Sequence, residues 1–321
     1  MDPQPARFTV EAAQQGKTLA ALLRVWLPGF TWSQVHRLVE TRRVKINDEL
    51  WLDPARRLRV GDVVDIGRRP SPKPQLLDSI VIRHIDEHII VVEKPAGIPT
   101  VRHPAERGWE KERRILVPTL DDLVLHQVGA VFPKRGQGSK PRLRVVQRLD
   151  KETSGLVVFA RTAQAERGLG MQFAKHVVVR RYLALVPGVV EAQVLRSFLV
   201  RDRGDGRRGS SPVPNVGKEA ITHISVAERF PAFTLLSCRL ETGRTHQIRI
   251  HLAELGHPVC GEKVYNRKPN GEPIANWEGC PRLFLHAVEL GFQHPLTAEA
   301  MHWDMPLPED LRLFLETVRG K

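Results

Sequence analysis

The chain has 321 residues, with 49 lysines and arginines against 36 aspartates and glutamates, and its formal net charge is +13. This length suits two domains and exceeds that of a small binding module, while the positive charge indicates a polyanionic partner, for which nucleic acid is the leading candidate. Cys238, Cys260 and Cys280 are too few and too far apart for a disulfide framework or a CxxC metal site.

The sequence carries no signal for membrane insertion or export. It has no run of about 18 apolar residues, and its N-terminus lacks the basic, apolar and small-residue pattern of a secretory signal. We therefore expect a cytoplasmic enzyme that is not bound to a membrane. The alternative explanation of the charge excess is a basic protein whose charges only form a solvated surface.

Residues 16–67 predict a small module of two helices and short strands. Thr18 can cap a first helix, a second begins near Ser33, and residues 44–46 alternate like a strand. The order of these elements resembles the S4 domain, a small RNA-binding module. Cations on the second helix and the strand can contact RNA phosphates, although an ordinary exposed basic helix is the alternative. These cations are Arg37, Arg42, Arg43 and Lys45.

Residues 68–77 contain three prolines and predict a stiff linker. A second domain is expected over residues 78–315, where several strand-like segments accompany helices predicted at 163–173 and 246–255. This order indicates an α+β fold with a mixed, largely antiparallel sheet, because strands and helices do not alternate as in a βαβ repeat. Basic residues among glycine and proline at 133–144 predict a mobile loop.

Asp150 is the most informative residue of the second domain. It lies between Arg148 and Lys151 in a turn rich in threonine, serine and glycine, directly before the apolar strand-like segment 156–160. A carboxylate flanked by cations at the edge of a buried strand contributes little to stability but is well suited to chemistry.

The segment 241–251 is the second candidate for a functional site. Gly243 can supply a permissive turn and Thr245 can cap a helix, with Arg249 one helical turn further along. If this helix faces Asp150, Arg249 can form a charge-assisted and bidentate contact that favours the charged carboxylate. A structural ion pair would account for the same spacing.

The second domain as a whole resembles the RluA-like family of pseudouridine synthases. The resemblance spans residues 78–310, in order and with compatible gaps. The motifs that carry it are Lys94-Pro95-Ala96-Gly97, Arg148-Leu149-Asp150 with Thr153-Ser154-Gly155, the strand 181–186, the segment 242–252, Gly256-His257-Pro258 with Gly261-Glu262, and Leu285-His286-Ala287 with His294-Pro295-Leu296.

The resemblance implies an RNA-uridine isomerase that needs no cofactor and no metal. Asp150 would attack the target nucleoside, Tyr182 would stack on the base and Arg249 would pair with Asp150. Arg148 would fill the space left by the extruded nucleotide, because a base inside folded RNA must be flipped out before its glycosidic bond can be reached. The remaining expected RNA contacts of this domain are Arg244 and His246.

Gln147 departs from the family pattern, which usually has histidine before the Arg-Leu-Asp triplet. Glutamine can form hydrogen bonds but cannot carry a positive charge, so the change bears on substrate choice and rate. The expected substrate is large-subunit rRNA and the expected state is a monomer. The alternatives are an enzyme that acts on tRNA, or an inactive RNA-binding or ribosome-assembly factor on the same fold.

Overall fold

The computed structural model describes residues 5–47, 49–70, 80–106, 108–109, 114, 117–129, 143–266, 272 and 279–320. The chain forms two compact units, Met1–Leu76 and Leu77–Lys321. The loop predicted at 133–144 lies outside the described residues except for its last two positions, as does the predicted linker after residue 70. No helix in the described part of the chain is long and apolar enough to cross a membrane.

The first unit contains two helices and a small antiparallel sheet with the strand order β1-β4-β2-β3. Thr18 caps the first helix as predicted, because its Oγ1 accepts a hydrogen bond from the Ala21 amide at 3.3 Å. Leucines and valines from the helices and the strands share one core. The elements are β1 (Ala6–Thr9), α1 (Leu19–Trp26), α2 (Trp32–Glu40), β2 (Val44–Ile46), β3 (Glu49–Leu50) and β4 (Val63–Ile66).

The second unit is built on one large sheet with helices on both faces. Its helices are α3 (Leu120–Gly129), α4 (Ala163–Ala174), α5 (Gln247–Glu254) and α6 (Glu309–Arg319). Its strands are β5 (Ile82–Ile85), β6 (Ile89–Lys94), β7 (Arg144–Val145), β8 (Ser154–Ala160), β9 (Val179–Pro187), β10 (Gln193–Val200), β11 (Gly209–Ser210), β12 (Lys218–Arg229), β13 (Phe233–Leu240), β14 (Leu285–Gln293) and β15 (Ala300–Asp304).

The main path of this sheet runs β11-β10-β12-β13-β9-β14-β8-β6-β5, with β15 beside β14 and β7 beside β8. Among the described strands, β8 and β14 are paired in parallel and the other pairs are antiparallel. The mixed, largely antiparallel α+β fold is therefore confirmed. Strand β8 is buried on both faces: Val157 and Phe159 join the core that contains α3, α5 and α6, while Leu156 and Val158 pack with α4.

One row of paired residues crosses the centre of the sheet. Cys238 on β13 lies opposite Tyr182 on β9, and Tyr182 lies opposite Ala287 on β14. Ala287 is aligned with Gly155 on β8, and Gly155 with Lys94 on β6. This register places the start of β8, and the turn that carries Asp150 before it, two strands away from Tyr182.

Gly155 makes this alignment possible. Its φ of +132° lies in the region that favours glycine, and a Cβ atom there would overlap the backbone and the side chain of Ala287. The two parallel strands approach so closely that only a residue without a side chain fits at this point.

The Gly155→Ala substitution should destabilise the protein. Strain at positive φ and overlap with Ala287 together predict a loss of roughly 3 kcal/mol or more of unfolding free energy, measured by denaturant titration. Gly170→Ala is the matched control, because a Cβ there meets nothing within 4 Å and its helical position predicts a gain of about 0.5–1 kcal/mol. Equal effects of the two substitutions would contradict the role given to Gly155.

Candidate active site

The second unit contains an open cleft of about 880 Å³ beside the central row of the sheet. It collects side chains from the turn before β8, from β9 and from the start of α5. The structure thereby brings together the residues that the sequence predicted for this domain. These residues are Arg148, Asp150, Tyr182, Arg244, His246 and Arg249.

The turn that carries Asp150 is held by its backbone. The buried Thr100 hydroxyl donates to the Leu149 carbonyl at 2.7 Å and accepts from the Leu149 amide at 3.0 Å. The Thr153 amide donates to the Asp150 carbonyl at 3.1 Å, which closes the turn. The Asp150 side chain is about one-fifth exposed, at 22%, so its carboxylate can be reached from the cleft while its main chain is fixed.

Lys94 forms hydrogen bonds to the same turn. Its fully buried Nζ donates to the carbonyls of Pro95, Lys151 and Thr153 at 2.9, 3.0 and 2.7 Å. Burial lowers the pKa of Lys94 to about 7, against the attraction of Asp150. Three carbonyl acceptors, however, require the three N–H groups of an ammonium. The geometry therefore corresponds to a charged lysine that joins two turns.

Arg249 lies beside Asp150, but its bidentate partner is Glu262. The Arg249 Nε and Nη2 atoms each lie 2.7 Å from a Glu262 carboxylate oxygen, whereas Nη1 lies 3.6 Å from Asp150 Oδ2. The expectation of a bidentate contact with Asp150 is thus wrong. The fully buried Glu262 binds the Nε and Nη2 atoms of the guanidinium, and only Nη1 is directed toward Asp150.

The pair of Arg249 and Glu262 is fully charged. Burial alone would raise the pKa of Glu262, but the charge and the hydrogen bonds of Arg249 lower it below its ordinary value. Burial likewise would lower the pKa of Arg249, and Glu262 raises it. Glu262 also accepts from the Val264 amide at 2.8 Å and from the Tyr265 amide at 3.3 Å, so its position is fixed on several sides.

His246 approaches Asp150 from the other side. Its Nε2 lies 3.8 Å from Asp150 Oδ1, and its Nδ1 lies 2.7 Å from the Tyr265 hydroxyl. Burial lowers the pKa of His246, although Asp150 attracts its proton, and burial raises the pKa of Tyr265. A neutral phenol that donates to Nδ1 leaves the imidazole proton on Nε2, on the side of Asp150.

The turn before α5 differs from its sequence-based prediction. Thr245 is not the helix cap: His246, with a left-handed φ of 60°, precedes the first helical residue and no side chain caps it. Gln247 Oε1 instead accepts from the Arg244 amide at 3.0 Å and from the Thr242 hydroxyl at 2.8 Å. Gly243 is not at positive φ, so a permissive turn is not the reason for glycine at that position.

The other predicted residues of the cleft differ in exposure. Tyr182 is 7% exposed, and burial raises the pKa of its phenol, which is therefore neutral. Arg148 is exposed at the cleft and forms no ion pair with any residue that the structure describes. Arg244 is exposed and donates from Nε to the Glu219 carbonyl at 2.9 Å.

The cations predicted for RNA contact in the first unit are not equivalent. Arg37 and Lys45 are exposed on α2 and β2, and Arg43 is half-buried. Arg42 is buried, with 7% exposure and a left-handed φ of 66° directly after α2. The expectation that all four cations can contact RNA phosphates is wrong for Arg42, whose side chain is buried within the unit after the turn that follows α2.

Several residues of the site carry no role in the sequence-based prediction. Glu262 and Lys94 both fall within motifs of the family resemblance, but a motif does not reveal which side chain they contact. Tyr265 and Thr100 have no sequence signal that we can identify. Arg180, two residues before Tyr182, could have been found from strand alternation, which places both side chains on the same face of β9.

Comparison with known proteins identifies the family. Residues 88–254 match the RNA pseudouridylate synthase family. The chain belongs to the RNA pseudouridylate synthases. It is 34% identical to ribosomal large subunit pseudouridine synthase D of Nitrosomonas europaea, over 98% of this chain and 88% of that protein. It is 36% identical to the protein of that name from Xylella fastidiosa, over 97% and 92%.

Solved structures show the same fold for this pseudouridylate synthase. Human RNA pseudouridylate synthase domain containing 4 matches with a TM-score of 0.57 and 23% identity, over 74% of this chain and 93% of that chain. Human RNA pseudouridylate synthase domain containing 1 matches with a TM-score of 0.54 and 19% identity, over 78% and 98%. The family match and the two synthase D relatives, rather than the shared fold, show that the chain is an isomerase that acts on RNA.

The Glu262→Gln substitution should destabilise the synthase. It leaves the buried Arg249 charge without its carboxylate, for which we expect a loss of about 3–5 kcal/mol of unfolding free energy. Because the folded pKa of Glu262 is lowered, its contribution is complete above the ordinary value of 4.5 and is lost as pH falls through the folded pKa. The measurement is denaturant unfolding at pH 7 and at several lower pH values.

Glu316→Gln is the control for this substitution. Glu316 pairs with Arg312 at 2.6 Å on the exposed face of α6, so its loss should barely change stability. The acid sensitivity of the Glu262→Gln protein should be smaller than that of the wild type. An unchanged stability of Glu262→Gln would show that Arg249 does not depend on this carboxylate.

Proposed function

We propose that this chain converts uridine to pseudouridine in large-subunit ribosomal RNA, with Asp150 as the catalytic nucleophile. The substrate proposal is supported by the ribosomal large subunit pseudouridine synthases that are similar to this chain over nearly its whole length, and by the net charge of +13, which favours a polyanion. The proposal for Asp150 rests on one observation: this carboxylate is reachable from the cleft and lies between Arg249 and His246.

The reaction is an isomerisation in which every atom of the nucleotide is retained. The Asp150 carboxylate attacks the nucleoside, the bond between C1′ and N1 breaks, and the uracil turns in the cleft. A bond then forms between C1′ and C5, the proton on C5 is released, N1 gains a proton, and Asp150 is freed. No electron is gained or lost overall, so the proposed reaction needs no redox cofactor.

The geometry suits a nucleophile that must act and then leave. Thr100 fixes the main chain of Leu149, directly before Asp150, so the turn that carries the carboxylate is in place before the substrate arrives. Arg249 Nη1, at 3.6 Å, attracts the carboxylate without a short hydrogen bond to its oxygens. The oxygens of Asp150 are thus available for attack.

Access to the uridine requires base flipping, to which Arg148 and Tyr182 contribute in this proposal. Arg148 is exposed and long enough to occupy the gap that an extruded nucleotide leaves in the RNA, where its planar guanidinium can stack. Tyr182 would contact the flipped uracil from the floor of the cleft. Arg244 and His246 would contact the RNA from the α5 side.

The first unit is proposed to bind RNA as an S4-like domain over residues 16–67, followed by a linker at 68–77 and a catalytic domain at 78–315. Arg37 and Lys45 are the exposed cations proposed to contact phosphates, with a smaller contribution from the half-buried Arg43.

A ribosomal RNA substrate favours a cytoplasmic enzyme. The proposed working unit is a monomer.

Asp150→Asn should abolish pseudouridine formation while RNA affinity stays within about twofold, because the nucleophile is lost but the basic surface is not. Product is measured by mapping pseudouridine in large-subunit rRNA incubated with each purified protein. Asp304→Asn, an exposed change on β15 outside the cleft, is the control and should retain activity.

The same experiment separates the remaining alternatives. Product formed by Asp150→Asn at the wild-type rate would refute the assignment of the nucleophile. Absence of product with the wild-type protein on ribosomal and transfer RNA, despite tight binding, would favour an inactive assembly factor. Modified uridine only in transfer RNA would refute the proposed substrate and leave the chemistry intact.

The double change Arg37→Gln with Lys45→Gln should weaken RNA binding and reduce the slope of log affinity against log salt by roughly two, one for each lost phosphate contact. The measurement is a salt titration with an rRNA transcript. Arg42→Gln should alter stability rather than this slope, because Arg42 is buried. Arg7→Gln, an exposed change on the edge strand β1 that removes one positive charge, serves as the control, and an equal loss of slope per removed charge there would refute a specific RNA surface.

A further inference from the structure

Arg180 is a buried cation in the wall of the cleft. It lies on β9 two residues before Tyr182, so both side chains project from the same face of the strand. Arg180 is only 8% exposed, yet it lines the cleft together with Asp150 and Tyr182. Its placement beside the reacting groups makes its partners informative.

The contacts of Arg180 satisfy one part of its guanidinium. Nη2 donates to the Glu241 carbonyl at 2.9 Å and more weakly to the Leu240 carbonyl at 3.4 Å. The Phe173 ring lies 5.3 Å from Cζ. Nε is buried without a hydrogen-bond partner, and within the described part of the chain no carboxylate forms an ion pair with Arg180.

Arg249 in the same cleft provides the comparison. Both arginine residues are more than nine-tenths buried, but Arg249 has Glu262 as a bidentate counter-ion. Burial lowers the pKa of Arg180, and the Tyr182 phenol opposes this in part while no carboxylate does, whereas Glu262 raises the pKa of Arg249. A buried charge without a counter-ion is costly for the free protein, and an anion that arrives from outside would remove this cost.

Gly243 keeps space beside Arg180. A Cβ atom on Gly243 would lie 2.8 Å from Arg180 Nη1, and the backbone at Gly243 is not left-handed. The absence of a side chain at Gly243 therefore leaves room beside the Arg180 guanidinium in its present position. Nη1 has no hydrogen-bond partner among the described residues, so this donor remains available at the wall of the cleft.

Building on the proposed function, we propose that Arg180 binds a phosphate group of the substrate RNA adjacent to the target uridine, and that this phosphate is its missing counter-ion. A phosphate supplies the negative charge that neither Leu240 nor Glu241 provides through a backbone carbonyl. A uracil carbonyl could accept the same hydrogen bond but would leave the buried charge uncompensated. Arg180 would thus place the flipped nucleotide against Tyr182 and Asp150.

The test combines enzyme variants with RNA of altered charge. The substrate is a synthetic RNA that contains the uridine identified by mapping, with either normal linkages or one neutral methylphosphonate linkage beside that uridine. Arg180→Gln should lower kcat/KM roughly 10- to 100-fold on normal RNA, as expected for loss of a charge-assisted hydrogen bond. Arg180→Lys should recover part of this loss, since it restores the charge.

The decisive result is non-additivity. At one of the two linkages that flank the uridine, the methylphosphonate should strongly lower kcat/KM of the wild type and of Arg181→Gln. The same linkage should hardly change kcat/KM of Arg180→Gln, because that variant has already lost the contact. Arg181 is the matched control because it lies on the same strand, pairs with Glu289 and Asp304 and does not line the cleft. If the loss of kcat/KM caused by Arg180→Gln and the loss caused by the methylphosphonate multiply at both flanking linkages, the phosphate assignment is overturned and a base contact is favoured.

A second measurement does not depend on catalysis. Inorganic phosphate, compared with chloride at equal ionic strength, should raise the Tm of the wild type and of Arg181→Gln more than that of Arg180→Gln. A structural role would instead predict a lower Tm for Arg180→Gln and the same phosphate effect in all proteins, which would overturn the proposal. If the wild type formed no pseudouridine, the proposed function would fail and this measurement would still decide the role of Arg180.

Discussion

The close contact between β8 and β14 is the constraint on which the rest of the catalytic unit depends. Gly155 and Ala287 approach so closely that no side chain fits between them. This contact aligns Gly155 with Tyr182 through Ala287. The turn before β8 can therefore deliver Asp150 to the cleft only at one position relative to β9. A shift of one residue in this register would turn the facing side chains to the opposite side of the sheet.

Buried cations organise the cleft, and they differ in how their charge is compensated. Lys94 is held by three carbonyls and joins the turn after β6 to the turn that carries Asp150. Arg249 has a carboxylate of its own in Glu262. Arg180 has backbone carbonyls alone. The first two are complete in the free protein, and their function is to hold other groups in place. The third is incomplete, which is expected of a group that meets substrate.

The sequence predicts those features that depend on local pattern. Apolar spacing is sufficient for α4 and α5, because helix period is a local property, and β-branched segments indicate the central strands. The partners of charged residues are set by tertiary contacts. Spacing alone could not show that Glu262, thirteen residues after Arg249, would take the bidentate contact in place of Asp150. The burial of Arg42 is likewise a tertiary feature, because Arg42 adopts a left-handed backbone conformation in the turn after α2.

The attachment of Arg249 to Glu262 has a consequence for the course of the reaction. In the proposed reaction, the charge on Asp150 disappears when its oxygen bonds to the nucleoside and returns when that bond breaks. A guanidinium held mainly by Asp150 would move or become unsatisfied at each of these changes. Because Glu262 fixes Arg249 independently, the field at the carboxylate stays constant through both stages, and no dipole has to be reoriented while bonds are being exchanged.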